Sequence, residues 1–67
     1  MDRSEVQELI RQLKSADESL RLRAVNVLAG ETGEELRIAL PTLKDAFLND
    51  PNPAVKYLAG KALNVET

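Results

Sequence analysis

Apolar residues recur at helical spacing in successive segments along the chain. Val6, Leu9, Ile10 and Leu13 fall at i, i+3, i+4 and i+7, one face of a helix, with Arg3, Gln7, Arg11 and Lys14 off it. This predicts a helix over about residues 4–14. Ser4 with Gln7, or Asp2 with Glu5, has capping-box spacing at its start. After a short link at 15–18, Asp17 is a good N-cap and Glu18 suits the first turn. Leu20, Ala24, Val27 and Leu28 make the next stripe, and Leu22, Val25 and Ala29 widen it into a helix covered on two sides. Gly30 stands where a left-handed residue ends a helix. Thr32 and Glu35 offer a third capping box. Leu36, Leu40, Leu43 and Phe47 then run in phase, with Ile38 and Ala39 alongside. Pro41 lies inside that pattern, predicting one helix over about 33–48, kinked near the proline, rather than two shorter ones. Asn49-Asp50-Pro51-Asn52-Pro53 is a firm break. Asn52 reads as an N-cap with Pro53 at the first helical position. Val55, Ala59, Ala62 and Leu63 form the last stripe, with Leu58 beside it, over about 53–64, and Val65-Glu66-Thr67 is expected to fray.

The chain repeats itself. At a shift of 35 residues Asp17 falls on Asn52, Leu20 on Val55, Arg21 on Lys56, Ala24 on Ala59 and Leu28 on Leu63. The preceding helices align at a shift of 34, with Val6 on Leu40, Leu9 on Leu43 and Leu13 on Phe47. One residue is inserted in the second copy, near Leu48. A helical hairpin is used twice. The expected fold is all-α: two stacked antiparallel helical hairpins, four helices, in a short α-solenoid. Residues 1–67 form a single domain, with repeat one at about 4–30 and repeat two at about 33–64.

Leu40-Pro41-Thr42-Leu43, then Asn49-Asp50-Pro51-Asn52-Pro53-Ala54-Val55-Lys56, then Ala59 and Leu63, resembles a HEAT repeat. That pattern has a leucine-proline start, an Asp-Pro turn, a valine followed by a cation, a small alanine and a leucine. Leu9, Leu13, Asp17, Leu20, Arg21, Ala24 and Leu28 resemble a second copy, in which Ser15 replaces the turn aspartate and no proline occurs. The resemblance covers about residues 5–64 and implies a HEAT-like superhelix. It also implies that the turn aspartate and the cation link neighbouring repeats, so that Asp50 meets Arg21 across the boundary. The simpler reading is that Asp50 caps its own turn. Alanine at Ala24 and Ala59 allows close approach of paired helices, and Leu20 and Val55 plug the gap between them.

Composition narrows the function. The 67 residues contain no cysteine and no histidine, which removes disulfides, thiolates and the commonest metal ligand and general base. No apolar run nears the ~20 residues of a membrane span, and no apolar leader opens the chain. A cytoplasmic protein is expected. A chain this short is marginally stable alone, which favours oligomers or partners. Glu34 and Glu35 point about 100° apart on a helix and form no carboxylate pair. Asp45, Asn49 and Asp50 lack EF-hand spacing, and Gly30-Glu31-Thr32-Gly33 lacks the lysine and the length of a phosphate loop. No catalytic residue, metal ligand or cofactor is assigned, and no enzyme activity is expected.

The remaining role is non-enzymatic: a protein–protein interaction or scaffold module presenting a short HEAT-like surface. The expected partner-binding residues are Arg23, Asn26, Tyr57, Leu58 and Lys61. Tyr57 and Leu58 are the expected exposed anchors at an uncovered end. The expected partner is a protein, with a second copy of the chain as one option. The alternative is a nucleic-acid-binding repeat using a basic layer of Arg21, Arg23, Lys56 and Lys61, the layer that lines the concave side in the family. Nine basic against eleven acidic residues, net charge −2, and few stacking aromatics argue against it. Other members of the family resemble phycobilin lyase subunits, but no residue here marks a chromophore site.

Overall fold

A computed structural model describes residues 2–31 and 33–66, with the side chains of Val65 and Glu66 left undescribed. It is all helical among those residues: α1 (Arg3–Leu13), α2 (Glu18–Ala29), α3 (Glu34–Asn49) and α4 (Pro53–Glu66). Their starts follow local chemistry. Asp2 caps α1, its Oδ1 accepting from the Glu5 N–H at 2.9 Å, so the Asp2–Glu5 spacing is used and Ser4 lies within the helix. Asp17 caps α2 by accepting from the Ser19 N–H at 2.9 Å. Asn52 caps α4, accepting from the Ala54 N–H at 2.8 Å, and Pro53 follows where its missing N–H is harmless.

Three local expectations are corrected. Gly30 is right-handed, with φ −91° and ψ −3°. The end of α2 instead tightens through three-residue bonds, the Gly30 N–H to the Val27 carbonyl and the Glu31 N–H to the Leu28 carbonyl, both at 3.1 Å. The left-handed step falls at Gly33, with φ 80°, where a side chain would be strained. The Thr32 half of the expected capping box lies outside the described residues, and Gly33 is the N-cap of α3 without a side-chain bond. α4 extends to Glu66, past its expected end near residue 64, and Thr67 lies outside the described residues.

α3 runs unbroken through Pro41, which is exposed. An interior proline costs about 3 kcal/mol, while alanine returns up to ~1 kcal/mol of freedom to the unfolded chain. Pro41→Ala is therefore expected to stabilise the fold by about 2 kcal/mol, raising the melting temperature by roughly 10 °C. A thermal melt followed by circular dichroism measures it.

The helices pack in a definite pattern. α3 lies most extensively on α4, α2 on α4, and α1 on both α2 and α3, while α2 and α3 scarcely touch. The core is Val6 and Leu13 of α1, Ala24, Val25 and Leu28 of α2, Leu36, Ala39, Leu43 and Ala46 of α3, and Val55, Ala59 and Ala62 of α4. The buried face of α3 is thus rotated from the expected Leu36-Leu40-Leu43-Phe47 stripe. Alanines at 39 and 46 occupy the buried positions, Leu40 is partly buried, and Phe47 is 44% exposed. Val27, expected in the α2 stripe, is 40% exposed.

Candidate functional site

Two features stand out: a polar latch joining the α1–α2 turn to the α3–α4 turn, and an apolar groove lined by α3 and α4.

The latch is built around Arg21 in α2. Its Nε donates to Asp50 Oδ2 at 2.9 Å, and its Nη1 donates to the Ser15 and Ala16 carbonyls at 2.9 and 3.1 Å. Asp50 Oδ1 accepts from the Asn52 N–H at 2.9 Å. Asp50 therefore does both things the sequence left open: it orders its own turn and it reaches the other repeat. The Arg21 and Asp50 side chains are 14% and 4% exposed, so this pair is largely withdrawn from water. Asn52 Nδ2 donates to Glu18 Oε2, a second link between the turns. Against this, the Arg11–Glu8 pair at 3.1 Å is exposed on both sides and contributes little.

The groove, about 450 Å³, is lined by Phe47, Tyr57, Gly60, Lys61, Leu63 and Asn64. Tyr57 is 69% exposed. Gly60 lets the Phe47 ring lie against the backbone of α4: a Cβ there would meet Phe47 Cε1 at 2.9 Å and Cδ1 at 3.0 Å. That contact predicts the effect of Gly60→Ala. Alanine gains about 1 kcal/mol of helix propensity. The half-exposed ring must swing outward, which offsets part of the gain. Gly60→Ala is expected to stabilise by about 0.5 kcal/mol relative to the wild type, and by about 1 kcal/mol relative to Phe47→Ala, where no ring stands in the way. Urea denaturation of the two single variants and the double variant checks this.

The sequence-selected residues are not all together. Tyr57 and Lys61 line the groove. Leu58 is half-buried and packs against the core, so it is not the exposed anchor expected of it. Arg23 and Asn26 are exposed on α2 and outside the groove lining. Of the expected basic layer, Arg21 is committed to Asp50 and two carbonyls, while Arg23, Lys56 and Lys61 stay exposed. Phe47 and Gly60 were missed as site residues, although the alignment of Phe47 with Leu13 was the available signal. Among the described residues no cluster of three carboxylates could hold a metal ion, and no helix is long and apolar enough to cross a membrane. No protein-family model, curated protein or solved structure matches the chain.

Proposed function

We propose that the chain is a non-enzymatic interaction module: two helical hairpins stacked as a short HEAT-like α-solenoid, working in the cytoplasm and offering one end to another polypeptide. The observation that carries this reading is the uncovered groove at Phe47, Tyr57 and Gly60. Aromatic side chains standing in solvent around an apolar floor are the usual anchors of a protein contact. The nucleic-acid reading is weaker, because Arg21 is engaged within the fold and three exposed cations remain of the basic layer.

The test is a photo-reactive amino acid in place of Tyr57, with a second at exposed Glu34, at the start of α3 and outside the groove lining, as control. Discrete polypeptide adducts from position 57 and none from position 34 are expected. Absence of any polypeptide adduct at position 57, together with oligonucleotide binding that weakens steeply with salt, would reverse the assignment.

A further inference from the structure

The two copies of the repeat carry mostly apolar residues at matching stripe positions but with different exposure, and the differences are one-sided. In the first copy Val6, Leu13 and Leu28 are 0%, 4% and 0% exposed. Their counterparts Leu40, Phe47 and Leu63 are half-buried, 44% exposed and half-buried. Val25, fully buried, corresponds to Gly60 in the floor of the groove. These positions mark the face by which copy one receives copy two. The opposite face shows the reverse. Leu43, Val55 and Ala62 of copy two are all 0% exposed, whereas Leu9 and Leu20 are half-buried and Val27 is 40% exposed in copy one. The chain therefore leaves uncovered one face of each of the two kinds that already fit each other inside it.

Charge separates two modes of pairing. Lys56 and Lys61 stand exposed on α4, and no carboxylate occurs between Asp50 and Glu66. The outer face of copy one is mixed: exposed Glu5 stands at the position of buried Ala39, Glu8 is paired to Arg11 beside Lys14 and Leu20, and Arg23 is exposed between Leu20 and Val27. Two copies of the lysine-bearing face brought together by a two-fold axis would set only like charges in one contact. A lysine-bearing face against the mixed one would not.

We infer that the groove at Phe47, Tyr57 and Gly60 takes the outer α1–α2 face of a second copy of this chain, around Leu9, Leu20 and Val27, in a head-to-tail contact that repeats the internal junction. This deepens the interaction reading above and rests on it. Such a contact is heterologous, so it propagates rather than closing at two chains.

Sedimentation equilibrium with Tyr57→Glu and Val27→Glu tests it. Both sites are exposed, and circular dichroism checks that each variant stays helical. The wild-type mass should rise with concentration past that of a dimer. Each variant alone should associate at least tenfold more weakly. An equimolar mixture should form a one-to-one heterodimer, because one intact groove then meets one intact outer face and the other junction sets glutamate against glutamate. Lys61→Glu provides a second groove-side variant with the same expectation. If Val27→Glu still dimerises as wild type does, the contact is two-fold and the inference is wrong. If wild type stays monomeric at millimolar concentration, it is also wrong. Adducts to other polypeptides at position 57 would then show that the interaction reading survives without it.

Discussion

Asp50→Ala is expected to remove about 3 kcal/mol of stability, the scale for leaving a largely buried charge without its partner. The substitution strands the Arg21 guanidinium on a side chain only 14% exposed, keeping two carbonyl acceptors but no counter-charge. It also deletes the acceptor for the Asn52 N–H at the entry to α4. A domain of this size has roughly 3–10 kcal/mol in total, so the variant stands near its unfolding threshold at room temperature. Arg21→Met should cost less, because Asp50 keeps its turn bond and the methionine stem fills the same space. The double variant should be less destabilised than the two losses added, by 1 kcal/mol or more, since either change alone breaks the same link. Urea unfolding of the cycle measures the coupling. Strict additivity would show that the latch holds only its own turn.

Leu43→Ala should be of similar size, and more informative beside its counterpart. Leu43 is fully buried, and leucine truncation at such sites costs about 2–5 kcal/mol. Leu9, the aligned residue in the first copy, is half-buried and packs at the margin of the core. Its truncation leaves a dent open to water rather than a cavity, and about 1 kcal/mol is expected. Leu28→Ala against Leu63→Ala should show the opposite order between copies, with the larger loss in copy one, because Leu28 is the fully buried member of that pair. Two aligned pairs whose costs rank oppositely between copies are the energetic imprint of stacking in one direction.

Much of this was legible in the residues alone. Asp17, Asn52 and Pro53 mark helix starts because the backbone N–H groups of a first turn need an acceptor, and that chemistry is local. The resemblance together with the repeat offered the link from Asp50 to Arg21, beside the simpler reading that Asp50 caps its own turn. What the sequence did not disclose was exposure. Leu13 and Phe47 are both large and apolar at the same position of the repeat, and nothing local separates a covered copy from an uncovered one. Leu58 misled for the same reason: an apolar residue beside a stripe can turn toward the core or away from it. The rotation of α3 onto Ala39 and Ala46 was also hidden, since alanine contributes little to an apolar pattern although it permits the closest approach of helices. Gly30 and Gly33 stand in one link, and which of them takes a positive φ depends on how the α2 carbonyls are satisfied.

The absence of native cysteine opens the most direct test of the stacking. Single cysteines at positions 13 and 47, and at 27 and 62, are labelled with a thiol reagent at micromolar protein, where chains are kept apart. Burial predicts slow labelling at 13 and fast at 47, then fast at 27 and slow at 62, each pair differing by at least tenfold after correction for unfolding. The reversal between pairs is the expected result. Equal rates within each pair, or the same copy protected in both, would contradict one-directional stacking and with it the open face on which the proposed function rests.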